Sequence, residues 1–243
     1  MTVHHDQRGA VALVTLDRPE RRNALDHATL DDLVAALAAA TAAGTRVLVL
    51  TGAAGHFCAG ADLGGVEDDG FTDALRRVLD GLHDAPFVTL AAIDGAALGA
   101  GLQLSVACDL RIATPAASIG IPAGKLGLCV DHWTVQRVAL LAGHGPARAI
   151  LLAAEVLDGS DAHRLGLVQR LGDLDAALEW ADVIAALAPL TLQAHKLMLN
   201  RLEAQVGDDP DVLAASRAAW SSADLQEGLA AFRERRPPRF RGE

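Results

Sequence analysis

The sequence predicts an α/β fold in which helices cover both faces of a sheet. Three observations carry that reading. Short apolar runs bounded by turn residues recur through the first half of the chain, with helical patterns between them. The runs are almost continuous in Val, Leu, Ile and Ala, as strands buried on both faces require. The chain has 243 residues, 51% hydrophobic and 21% charged, which is enough for a sizeable core.

Each element follows in order. Val11–Leu16 reads as a strand, closed by the turn residues Asp17, Arg18 and Pro19. Asp26 is placed to cap a helix in which Leu30, Leu33, Val34 and Leu37 repeat at helical spacing, and Gly44 stops it. Val47–Leu50 is a buried strand that runs into the glycine-rich stretch 51–55. A helix over about 71–83 precedes Pro86 and the strand Val88–Ile93, and a second glycine-rich turn follows. A second helical stretch then leads to the strand Leu110–Ala113. From about residue 174 only helical patterns remain. Leu225, Gly228, Leu229 and Phe232 share one apolar face there, and Pro237-Pro238 ends it. That tail is too short to bury a core of its own, so it is expected to pack on the body or on neighbouring subunits.

Composition excludes several functions. A net charge of -10 disfavours a phosphate-backbone partner, and 3% aromatics with no tyrosine disfavours base stacking. The opening Met1–Asp6 has no basic region followed by an apolar stretch, and no uncharged apolar run reaches the ~20 residues of a membrane helix. Cys58, Cys108 and Cys129 fit neither a zinc pattern nor a disulfide framework. His144, His163 and His195 stand singly in helical contexts and have no metal-ligand spacing. The expectation is a soluble, cytoplasmic, reduced protein with no metal and no tightly bound cofactor.

Two segments are richest in chemistry. His56–Leu63 and Asp94–Asp109 each follow a buried strand, and the second opens an uncharged helix. Free N–H groups at a helix start, flanked by small residues, let an acceptor oxygen approach the backbone. Two such loops side by side can make an oxyanion hole. The alternative is that the glycines only permit tight turns and close packing. Neither loop matches a dinucleotide fingerprint or a P-loop.

Arg18-Pro19 with Asn23-Ala24-Leu25, then Phe57–Leu63, then Ala91–Asp109, resemble the enoyl-CoA hydratase/isomerase (crotonase) family. Gly127, Gln136-Arg137 and the ending Ala231–Phe240 extend the likeness over about residues 3–241. Gly99–Leu104, the Asp131-to-Trp133 stretch and Arg236–Phe240 are similar to an actinobacterial branch linked to mycolic-acid synthesis and described as lacking hydratase activity. The resemblance implies a ClpP/crotonase-like spiral of ββα units over residues 1–190 and a helical trimerisation region over 191–243. It implies a homotrimer or homohexamer, with a fatty-acid synthesis complex as a further partner class. The ligand it implies is an acyl-CoA thioester, with coenzyme A as part of that ligand. Its carbonyl would meet the amides of Ala61 and Ala100, and Arg22, Ala24, Leu25, Asp62, Leu63, Gly99 and Trp133 would line the site.

The chain departs from a working hydratase at two positions. Hydration needs two carboxyl groups on one water. Where the family carries two glutamates, this chain has Gln103 and Ala123, and no glutamate lies between Glu67 and Glu155. Gln103 can orient a water but cannot take its proton, and Ala123 can do neither. Asp131 is the remaining candidate base or nucleophile, as an isomerase, lyase or thioester hydrolase would need; equally, it suits the N-cap of a helix beginning near His132. Trp133 is open between an acyl-pocket wall and ordinary helix packing. Asp62 and Asp109 are expected to brace the loops, and His56 to cap or lie at the surface. Arg21, Arg22, Arg235, Arg236 and Arg239 are open between CoA phosphates and a solvated rim. The reading is therefore a fatty acyl-CoA binding protein of this family, deficient in hydration.

Overall fold

In the computed structural model, residues 2–62, 64, 69–203, 214, 217, 220–239 and 241 are described. The strands are β1 (Val3–Arg8), β2 (Val11–Leu16), β3 (Val47–Gly52), β4 (Val88–Ile93), β5 (Ala96–Leu98), β6 (Leu110–Ala113), β7 (Ser118–Gly120), β8 (Val156–Asp158) and β9 (Arg170–Leu171). The helices are α1 (His27–Ala42), α2 (Asp69–His83), α3 (Ala100–Ala107), α4 (His132–Ala142), α5 (His144–Leu152), α6 (Gly159–Arg164), α7 (Leu174–Ala185), α8 (Pro189–Glu203) and α9 (Ala223–Glu234). A main sheet runs β1-β2-β3-β4-β6-β9, and a smaller one runs β5-β7-β8. Only the β1–β2 hairpin is antiparallel in the main sheet.

Strand alternation builds two cores, because successive side chains point to opposite faces. Val11, Leu13, Val47, Val49, Leu90 and Ala92 pack under α7 through Ala177, Ala181 and Ile184. Ala12, Val14, Leu16, Leu48, Leu50, Ala91 and Ile93 face α1, α2 and α3 on the other side. Both faces are thus covered, as the continuous apolar strands predict.

Several boundaries differ from the sequence reading for physical reasons. β1 was not anticipated, because His4, His5 and Asp6 disguise an exposed edge strand. The turn after β2 continues as a 3-10 helix over Pro19–Arg21. In α1, Leu30 and Leu33 are buried, but Val34 turns outward. The strands β5, β7, β8 and β9 are two or three residues long, too short to show a period.

The tail packs against the body of the same chain. Lys196 of α8 is buried and donates to the carbonyls of Leu82 and Phe87 and to Asp109 Oδ2 at 2.8 Å. Asp109 in turn accepts from the N–H and hydroxyl of Thr89, so it joins β4 to α8. In α9, Gly228 lies against the Leu126 backbone so closely that a Cβ would sit 2.1 Å from its carbonyl oxygen. Leu225 and Leu229 are buried beside it, whereas Phe232 remains exposed on the same helix. Arg235 ends α9 in the left-handed region, before Pro237.

Candidate active site

Two hydrogen-bonded seams bring the glycine-rich loops together. Asn23 is buried in the left-handed region, which asparagine tolerates. Its Oδ1 accepts from the Arg18 N–H, and its Nδ2 donates to the carbonyls of Ala53 and His56. Arg18 donates to the Ala24 carbonyl and pairs with Asp26 and Asp62. Leu25 N–H donates to the Gly60 carbonyl, and Asp62 N–H returns to the Leu25 carbonyl. On the other side, Cys58 N–H donates to Ala96, and Leu98 N–H donates to Cys58. His56 Nδ1 accepts from the Ala96 N–H, so this histidine holds the second loop.

The start of α3 sits against the first loop because two glycines allow it. A Cβ at Gly101 would lie 2.2 Å from the Cys58 carbonyl oxygen, closer than real side chains come. Gly60 has φ +115°, and a Cβ there would lie 3.1 Å from the Leu98 carbonyl oxygen, just ahead of α3. In the pairing with Leu25 the Gly60 carbonyl and Asp62 N–H are used, and the Ala61 N–H is not. Ala100 opens α3, so its N–H has no acceptor one turn earlier in the helix. At the far end of α3, Arg111 donates to the carbonyls of Ser105 and Cys108, and Arg137 to that of Val106. Cations at that end complement the helix dipole, whose positive end faces the first loop. Burial lowers the Arg111 guanidinium to about 10, and it stays charged at neutral pH.

A cavity of about 1070 Å³ opens at this junction. Ala24, Ala61, Asp62, Gly99, Ala100, Gln103, Ala123 and Asp131 all line it, so most residues singled out in the sequence meet in one place. Its apolar wall includes Phe71, Leu75 and Leu79 of α2, with Leu128 and Val130, and Leu225, Leu229 and Phe232 of α9 close another side. Phe232 therefore belongs to the cavity and not to the packed face. The sequence reading missed the contribution of α2; its apolar spacing marks a buried face but not what that face covers.

Gln103 and Asp131 join in a side-chain network. Asp131 caps α4, accepting on Oδ1 from the Thr134 N–H and hydroxyl. Gln103 Nε2 donates to Thr134 Oγ1 at 2.8 Å and to Asp131 Oδ1 at 3.3 Å. Arg76 Nη1 meets Asp131 Oδ2 at 3.1 Å, and its Nη2 meets Asp80 Oδ1 at 2.5 Å. Burial works against the charge of Arg76, but the two carboxylates outweigh it and hold the guanidinium above its ordinary value. Arg76 also stacks 4.7 Å from the Trp133 ring centroid, and His83 meets the same ring edge-on.

Other expected residues lie elsewhere. Trp133 is packed under Arg76 and is not part of the cavity lining. Leu25 is fully buried in the first-loop seam, and Arg22 is exposed in the left-handed region; neither lines the cavity. Arg21 does line it, beside Ala24. Leu63 lies outside the described residues. Arg236 forks onto Glu227 at 2.6 and 2.8 Å and also meets Glu234, so its guanidinium is engaged within the tail and not offered to phosphates. That hydrogen bonding holds the Glu227 carboxyl down at about 2. Among the described residues, no group of three His, Cys, Asp or Glu could hold a metal ion.

The chain is similar to known proteins over nearly its whole length. Residues 6–243 match the sequence profile of the enoyl-CoA hydratase/isomerase family. A protein of Mycobacterium tuberculosis named "Probable enoyl-CoA hydratase" is 42% identical over 240 residues, covering 97% of this chain and 98% of that one. A solved enoyl-CoA hydratase/carnitine racemase of Magnetospirillum magneticum is 30% identical, with TM-score 0.80, over 100% of this chain and 96% of its own. Methylmalonyl-CoA decarboxylase, solved with 2-nitronate-propionyl-CoA, reaches TM-score 0.93 at 23% identity over 100% and 99% of the two chains, a likeness of fold.

Proposed function

The chain belongs to the enoyl-CoA hydratase/isomerase family, and from that premise we propose that it binds fatty acyl-CoA thioesters with little or no hydratase activity. It would serve lipid metabolism as a binder or shuttle. The thioester carbonyl would sit at the Ala61 and Ala100 N–H groups, where a helix start and a small-residue loop supply donors. The acyl chain would follow the apolar wall of Leu75, Leu79, Leu128 and Leu229. Coenzyme A would leave past Arg21 and Ala24.

The carrying observation is the state of the groups beside α3. The amide nitrogen of Gln103 is spent on Thr134 and Asp131, Ala123 has no proton to give, and Asp131 is committed to α4 and Arg76. Each missing general acid or base costs ~10²–10⁴ in rate. The alternative, an isomerase, lyase or thioester hydrolase, would have to work through Asp131. Calorimetric titration with acyl-CoA beside a crotonyl-CoA hydration assay tests the reading. Binding with hydration far below a turnover of ~10 s⁻¹ is expected. Turnover near that value, or any turnover abolished by Asp131→Asn with binding intact, would overturn it.

The family resemblance also supports assembly as a trimer or hexamer of this chain in the cytoplasm. No described helix is long and apolar enough to cross a membrane.

A further inference from the structure

We propose that the Arg76–Asp131 pair sets the charge of the acyl group this cavity accepts: acyl chains without a second carboxylate enter, and dicarboxylic acyl-CoA esters are turned away. The inference rests on the acyl-CoA reading and deepens it.

Position comes first. Gln103 follows Ala100 by three residues along α3, a rise of about 4.5 Å. Its hydrogen bond to Asp131 places the Asp131–Arg76 pair beside the first turn of the helix, on the lining of the same cavity. In the proposal, a thioester carbonyl held at the amides runs the first carbons of its acyl chain past this pair.

Chemistry comes second. A guanidinium lining a cavity is the side chain best suited to grip a ligand carboxylate, by two parallel hydrogen bonds. Here both terminal nitrogens are already committed, one to Asp131 and one to Asp80, and the flat face lies over Trp133. At this cluster one cation stands against two carboxylates, with Asp73 one turn earlier on α2; the other cations of the lining, Arg21, Arg217 and Arg233, belong to other parts of the chain. A second carboxylate brought to this cluster would meet a masked arginine with two carboxylates around it. A hydrocarbon chain would meet the apolar wall that includes Leu75, Leu79, Leu128 and Val130.

Butyryl-CoA and succinyl-CoA test this, because they differ at the far carbon by a methyl against a carboxylate. In calorimetric titration the wild-type chain should bind butyryl-CoA at least about tenfold more tightly. Asp131→Asn should narrow that ratio about tenfold by releasing Arg76. Asp80→Asn leaves the α4 cap intact and should move the ratio in the same direction. Adding Arg76→Gln to Asp131→Asn should restore the preference for butyryl-CoA. Equal wild-type affinities overturn the inference alone. A gain for succinyl-CoA that survives in the double variant also overturns it, since loss of repulsion would then suffice without Arg76. Failure of both esters to bind overturns the acyl-CoA reading, and the inference with it.

Discussion

A single atom decides whether the position at 103 can take a proton. Glutamine and glutamate have nearly the same shape, but an amide nitrogen donates where a carboxylate oxygen would accept. Gln103 donates to both Thr134 and Asp131, so the network is satisfied with an amide in place. Restoring Gln103→Glu together with Ala123→Glu should raise crotonyl-CoA hydration by ~10² or more, followed by loss of enoyl absorbance. An unchanged rate would mean that these two positions do not face the ligand's double bond. The cysteines make a second residue-scale test. Burial raises the Cys58 and Cys108 thiols to about 12, whereas Cys129 is half-buried and lines the cavity. The thiolate is the reactive form. Iodoacetamide should therefore label Cys129 alone in the native protein, as read by peptide mass spectrometry, and bound acyl-CoA should slow that labelling. Labelling of Cys58 at a comparable rate would contradict the closed first-loop seam.

At the scale of elements, α2, α4 and α8 meet around His83. Its ring lies edge-on to Trp133 of α4, and Asn200 of α8 donates to its carbonyl. Its Nδ1 has no hydrogen-bond partner among the described residues. Burial, with the charges of Arg137 and Lys196, pushes the imidazole below its ordinary value of 6.5; Asp84 and Asp109 only partly oppose this. The folded protein therefore takes up a proton at this site less readily than the unfolded chain. Stability from the neutral ring is fully present above 6.5 and is lost as pH falls through the lowered folded value. Urea midpoints should drop between pH 7.5 and pH 5, and His83→Phe should flatten part of that drop. Equal pH dependence in the two proteins would assign the acid sensitivity elsewhere. The junction bears on the site as well, because the Trp133 ring that His83 supports is the one over which Arg76 lies.

Across the whole molecule, α8 and the turn before it carry an apolar surface that remains exposed among the described residues. Leu190 is 77% exposed and Met198 64%, with Leu187, Leu197 and Leu199 also exposed. Such a patch is kept from water most simply by meeting another copy of the chain. Light scattering should report a mass of three or six chains. Leu190→Lys with Met198→Lys should shift it toward the monomer, with acyl-CoA still bound if the cavity is complete within one chain. A monomeric wild-type protein would remove the assembly proposal and leave the site untouched.

The sequence by itself determined the layered α/β architecture, because strands of continuous Val, Leu and Ala can be stable only between two covering layers. It also determined that positions 103 and 123 carry no carboxyl group, since a glutamine and an alanine cannot exchange protons wherever they are placed. The Asp26 cap, the Asp131 cap and the strands β2 to β4 were legible as local signals, whereas Ala61, Ala100 and Gln103 were picked out by the family resemblance. The tertiary structure alone decided that Arg76 would answer Asp131 across 55 residues of chain. It alone turned Trp133 away from the cavity and brought α9 back over Leu126. The reason is range. Capping, strand alternation and helical period act over a few residues, whereas a charge pair or a stacked ring depends on where two distant elements come to rest against each other.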